Sequence, residues 1–91
     1  MLISHCILHI ELPQAHSLKG RRTVVNSVKE RLKRLNLSVM DVSGEYPKEA
    51  DIALVYLSPD ARSAAQYREK IEAMLTRYFG EYLFEFDCER F

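Results

Sequence analysis

Residues 52–59 read IALVYLSP, and this stretch decides how the remainder of the chain is parsed. The nearly unbroken apolar run Ile52 to Leu57 is what a central strand covered on both faces requires. Ser58-Pro59 then puts an N-cap and an N1 residue in their preferred places, which predicts that a helix starts there. Ala61, Ala64, Ala65, Arg68, Ile71, Met74, Leu75, Tyr78 and Phe79 recur on one side of that helix, and Gly80 is placed to stop it.

On the C-terminal side, Tyr82, Phe84, Phe86 and Cys88 alternate with Leu83, Glu85, Asp87 and Glu89, the period of two expected of a strand with carboxylates on its outer face. On the N-terminal side, Gly44 to Glu49 with Pro47 is the most turn-like connection, and Leu37 to Val42 a further strand. Before it, Leu18, Val25, Val28, Leu32 and Leu35 have helical spacing, with Ser17 as N-cap and Asn36 at the C-terminal end. The first strand alternates Leu2, Cys6, Leu8, Ile10 and Leu12 with Ile3, His5, Ile7, His9 and Glu11, and Pro13 ends it. The order β-α-β-β-α-β, with no repeat and no linker, predicts one α+β domain over residues 1–91. It folds most economically as a ferredoxin-like sandwich, a four-stranded antiparallel sheet with both helices on one face.

A chain of 91 residues buries roughly 60–65% of its unfolded surface, which favours a shallow surface site over a deep cavity. Composition is that of an ordinary globular protein, 47% hydrophobic and 29% charged, without an apolar run near the ~20 residues of a membrane span. The first twelve residues lack a basic leader and cleavage site, so a cytoplasmic location without membrane attachment is the expectation. Cys6 and Cys88 are far apart and in no CxxC pair, which reads as two buried free thiols.

Formal net charge is zero, but the charge is not evenly spread. Residues 17–36 hold seven cations and a single acid, Glu30, a balance of +6 that leaves −6 elsewhere. Lys19, Arg21 and Arg22 crowd the first turns of the first helix, where the macrodipole favours anions and disfavours cations by about 0.3–1 kcal/mol each. Lys19, Arg22, Asn26, Lys29 and Lys33 form one stripe ~21 Å long. By its angle Arg21 instead falls among Leu18, Val25 and Leu32, so it either snorkels from the core edge or points out beside the helix start. Together with the Ser17 cap, these residues are an expected site for RNA phosphates or another polyanion.

No catalytic constellation emerges. His5 and His9 stand ~13 Å apart on a strand and cannot share a metal; either is expected to pair with Glu85 or Asp87 across strands. There is no nucleophile elbow and no phosphate-cradling glycine loop, so the reading is of a non-enzyme without cofactor or metal. The open sheet face carries Ile3 and Ile7, joined by either Ile52, Leu54 and Tyr56 or Ala53, Val55 and Leu57, and is a candidate surface for homodimerisation or partner docking.

The segment HSLKGRR at His16 to Arg22, preceded by a strand ending ELP and followed by VVNSVKERL and NLSV, resembles the YlxP-like family of small uncharacterised bacterial proteins. Ser17-Leu18-Lys19 with the basic pair Arg21 and Arg22 is its most specific part. The resemblance implies a ferredoxin-like fold, a cytosolic setting and no established activity. Its relatives' genomic neighbourhood beside translation genes implies RNA or ribosome association of the basic helix.

Overall fold

The computed structural model describes residues 1–91 and has the expected order: β1 (Leu2–Glu11), α1 (Leu18–Lys33), β2 (Ser38–Asp41), β3 (Glu49–Ser58), α2 (Ala61–Phe79) and β4 (Phe84–Arg90). The strands form one antiparallel sheet in the order β2-β3-β1-β4, so the two longest strands are central. β1 and β3 pair along their whole ten-residue lengths, from Leu2 opposite Ser58 to Glu11 opposite Glu49. Cys6, Leu8, Ile10 and Leu12 of the first strand and its continuation, with Ile52, Leu54 and Tyr56 of β3, point to the helix side. There they bury Val25, Val28 and Leu32 of α1 and Ile71, Leu75 and Phe79 of α2.

The helix ends show where local chemistry decides boundaries. Ser17 is extended and its Oγ accepts the Gly20 N–H at 3.1 Å, capping α1 as its position predicts. After Lys33 the chain tightens, with the Leu35 N–H bonded to Leu32 O and the Asn36 N–H to Lys33 O. Asn36 then turns left-handed at φ 59°, a conformation asparagine tolerates better than most residues. At α2 the cap is Asp60, whose carboxylate accepts the Ser63 N–H at 2.8 Å, and not Ser58. Ser58 is still strand, paired with Leu2 and buried, so Pro59 falls in the connection between strand and cap.

Arg21 is the charged residue that the fold encloses, only 9% exposed. Its Nη1 donates to the carbonyls of Gly44, Tyr46 and Glu49 at 2.7, 2.9 and 3.3 Å. One guanidinium thus gathers two carbonyls of the loop and that of Glu49, the first residue of β3, tying the loop and the start of β3 to the first turn of α1. Arg68 does the same for β4 from α2: its Nη2 donates to Phe86 O at 2.8 Å while its Nε pairs with Glu72 at 2.7 Å.

Cys6 and Cys88 are not free thiols; they form a disulfide between β1 and β4. Ile3 and Phe91 exchange both backbone hydrogen bonds, at 3.0 and 2.8 Å. Alternate partners along that ladder are therefore non-hydrogen-bonded pairs, in which side chains come closest, and Cys6 opposite Cys88 is one of them, with Cα atoms 4.1 Å apart.

Two outcomes follow for stability. Reduction opens an 82-residue sequence separation and is expected to lower the unfolding free energy by about 2–4 kcal/mol, seen as an earlier denaturant midpoint with reductant present. Arg21→Ala leaves three carbonyls, of Gly44, Tyr46 and Glu49, without this donor and is expected to cost about 2–4 kcal/mol, while Arg22→Ala, exposed one residue on, changes stability by less than about 0.5 kcal/mol.

Candidate functional site

The expected anion-binding residues divide in two. Lys19, Arg22 and Lys33 are exposed and Lys29 half-buried along one flank of α1, and none has a carboxylate partner within 4.0 Å. Ser17 spends its hydroxyl on the cap. Arg21 does not belong to the set: its guanidinium is committed to the loop carbonyls, so the helix start loses one of its three cations to the fold itself. Lys29 and Arg21 also act on Asp41. There burial works against ionisation, but the Ser43 hydrogen bonds and these two cations leave the carboxyl below its ordinary range. A shallow cavity of about 350 Å³ beside the helix start is lined by Leu12, Gln14, His16, Gly20, Val24 and Tyr82, and by none of the cations. Arg31, also in α1, stacks 3.7 Å from the ring centre of Tyr78 on α2 and belongs to the helix–helix contact.

On the open side of the sheet, the register settles which half of the apolar third strand faces out. Tyr56 lies opposite Ser4 and turns inward, 5% exposed, its hydroxyl donating to Ala64 O at 3.4 Å and its ring 4.7 Å from that of Tyr67. It is therefore core, and no part of an outer surface. The outward set is Ala53, Val55 and Leu57, beside Ile7, His5 and Ile3 of β1 and Ser38 and Met40 of β2. Ile3, Met40 and Leu57 are 41%, 65% and 61% exposed, a large fraction for contiguous apolar side chains. Glu85, Asp87 and Glu89 of β4 border this patch on one side, as the alternation predicts.

The other end of the same face is polar. His9 stands opposite Asp51, and Glu11 opposite Glu49, on the paired ends of β1 and β3. His9 Nδ1 is 2.7 Å from Asp51 Oδ1, and its Nε2 is 3.1 Å from Glu11 Oε1 and 3.9 Å from Glu49 Oε2. The partners of His9 are thus on β1 and β3, and not Glu85 or Asp87 of β4, although Glu85 is its register neighbour there. Asp51, aided by Glu11, holds the imidazolium above its ordinary range against the opposing effect of burial. Glu11, Glu49 and Asp51 carried no signal as a group in sequence, because only the β1–β3 register brings them to one histidine.

Comparison with known proteins agrees with this architecture. Among solved structures, the chain resembles a designed protein, Foldit4, at 11% identity and TM-score 0.56, covering 97% of this chain and 94% of that one. It resembles a dimeric ferredoxin-like protein from an uncultured marine organism at 12% identity and TM-score 0.55, covering 100% and 93%. It also resembles CPII from Thiomonas intermedia K12, bound to ADP, AMP and acetate, at 9% identity and TM-score 0.51, covering 99% and 88%. At such identities the likeness is one of fold. No curated protein matches the chain in sequence. No helix is long and apolar enough to cross a membrane. A family model matches residues 3–88, almost the whole length, and the chain belongs to the family described as Protein of unknown function (DUF503).

Proposed function

We propose that this chain is a binding module, without enzymatic activity of its own, that associates with a second copy of itself through the apolar half of its open sheet face. The observation that carries the reading is the contiguous exposure of Ile3, Val55, Leu57 and Met40 on neighbouring strands. β3 is thereby apolar on both sides from Ile52 to Leu57, the pattern of a strand meant to be covered twice. The patch lies across the two central strands, so a two-fold axis can bring it onto itself and bury it isologously. Carboxylates, and no lysine or arginine, stand on the open face beside it, which suits a protein surface and repels a nucleic acid. A protein of the same fold is described as dimeric, which supports self-association without indicating the face used. No serine, threonine or cysteine is hydrogen-bonded to a histidine, which supports a non-catalytic role.

A second reading draws on a separate surface. Lys19, Arg22 and Lys33 project from α1 with no carboxylate within ion-pair reach, and this supports contact with RNA phosphates or another polyanion, including a ribosomal surface. The resemblance of Ser17-Leu18-Lys19 and the following basic pair to the YlxP-like family, and the cytoplasmic setting that it implies, belong with this reading. In a reducing cytoplasm Cys6 and Cys88 would be an adjacent thiol pair, with the β1–β4 ladder holding the strands together.

Light scattering at micromolar concentration is expected to give twice the 10.6 kDa chain mass, and Leu57→Asp to give the monomer, its charge counted twice across an isologous contact. A monomeric wild type overturns the first reading. For the second, binding to single-stranded RNA is expected to weaken with salt at a log–log slope of about −2 for three phosphates at ~−0.7 each. Lys19→Ala with Arg22→Ala is expected to flatten the slope to about −0.7. An unchanged slope removes the helix as the contact.

A further inference from the structure

At the polar end of the open face, two cross-strand pairs adjoin and bring three carboxylates onto one imidazole. Glu11 and Glu49 are direct register partners on one face, an arrangement that opposes pairing when both are ionised. Between them stands His9, whose two ring nitrogens both face carboxylate oxygens: Nδ1 faces Asp51 at 2.7 Å, and Nε2 faces Glu11 at 3.1 Å and Glu49 at 3.9 Å. A neutral imidazole has one N–H. As an imidazolium His9 donates to both sides; as a neutral imidazole with its proton toward Asp51 it turns the Nε2 lone pair toward two acceptor-only carboxylates, and no lysine or arginine nitrogen comes within 4.0 Å of the carboxylate oxygens of the three acids. A metal ion on Nε2 would take the place of the second ring proton and face the same two carboxylates.

We infer that His9 Nε2, Glu11 and Glu49 form a binding site for a divalent cation of the zinc class, with Asp51 as the positioning residue that fixes the histidine tautomer. The three ligand atoms lie within 4.8 Å of one another. Ligand atoms at ~2.0–2.1 Å around a tetrahedral ion are ~3.3 Å apart, so His9 and Glu11 already stand at that spacing and Glu49 needs only a small rotamer adjustment. The Asp51 carboxylate on Nδ1 supplies the outer-shell hydrogen bond that metal-bound histidines almost always have. One imidazole with two carboxylates suits zinc, manganese or ferrous iron, whereas magnesium and calcium favour an all-oxygen set. The site is 28–47% exposed at its side chains, so at least one coordination position remains for water or for a ligand from another molecule. The ion would clasp the ends of β1 and β3 and replace the Glu11–Glu49 repulsion by two attractions. Glu49 is well placed for this because its own carbonyl is held by Arg21.

The test is calorimetric titration of chelator-treated full chain with zinc ion alone, with melting curves and histidine NMR in parallel. The expected result is one zinc per chain, a higher melting temperature, and shifted ring signals of His9 but not of His5 or His16. His9→Gln and the double change Glu11→Gln with Glu49→Gln are expected to weaken binding at least tenfold, and Asp51→Asn by about 10–100-fold. The double change also removes the like-charge pair, so it is expected to melt no lower than wild type in chelator, which separates loss of the site from loss of the fold. Absence of zinc binding, binding undiminished in both sets of ligand variants, or ring shifts at His5 or His16 in place of His9 would overturn the assignment.

Discussion

The antiparallel register between β1 and β3 is the constraint on which the molecule depends. Side chains alternate strictly along a strand, so a slip of one residue would send either Leu8 and Ile10 or Ile52 and Leu54 to solvent and bring His9 or Asp51 into the core. Burial of the first set favours the observed register by several kcal/mol, since each fully buried aliphatic side chain contributes about 1.5–3 kcal/mol. That same choice has consequences on the other face. It puts Ile3 beside Leu57 at one end and His9 beside Asp51, Glu11 beside Glu49, at the other. The surface pattern is therefore a product of core packing, reached by residues 38 to 54 positions apart in the chain.

Arg21 shows how the framework admits a charge. A guanidinium on the buried side of α1 would be costly if left unpaired. Two carbonyls of the turn before β3 and that of Glu49 at its start surround it, and Asp41 feels its field nearby. The arrangement serves both partners: the cation gains acceptors, and a loop with few ladder bonds gains a fixed shape. It also changes the meaning of the basic cluster at the helix start. Part of that positive charge is structural, and the remainder lies on the flank of α1, away from the open face.

Much of this was legible in sequence, and the boundary of legibility has physical reasons. Alternation from Leu2 to Leu12 and from Tyr82 to Glu89, helical spacing in both helices and the cap at Ser17 suffice for the ferredoxin-like order, although α1 is capped at Arg34 and Asn36 instead makes the left-handed turn two residues on. A strand that is apolar throughout hides its own period, so Tyr56 and Leu57 were indistinguishable until pairing with Ser4 and Ile3 set them on opposite faces. Ser58 and Asp60 both carry cap chemistry, and the extra ladder residues at the end of β3 decided for Asp60. The angle of Arg21 placed it at the core edge, but its acceptors are backbone oxygens of a turn, to which no residue pattern points. Cys6 with Cys88, and His9 with Glu11, Glu49 and Asp51, are juxtapositions of register, visible only after the strands are aligned.

The two ends of the open face place opposite demands on anything that covers it. Desolvating Ile3, Val55 and Leu57 is favourable whatever lies above them, provided it is apolar. Covering the His9 end is a different matter, because Glu11, Glu49 and Asp51 carry three carboxylates against one imidazole, and excluding water from unpaired charge costs several kcal/mol per ion. A second copy that stacks over the apolar half alone leaves the polar end in water, whereas one that covers the entire face requires a cation there. A divalent ion at His9, Glu11 and Glu49 would therefore set how far two sheets overlap, so metal binding and self-association, though argued from different residues, meet along the same pair of central strands.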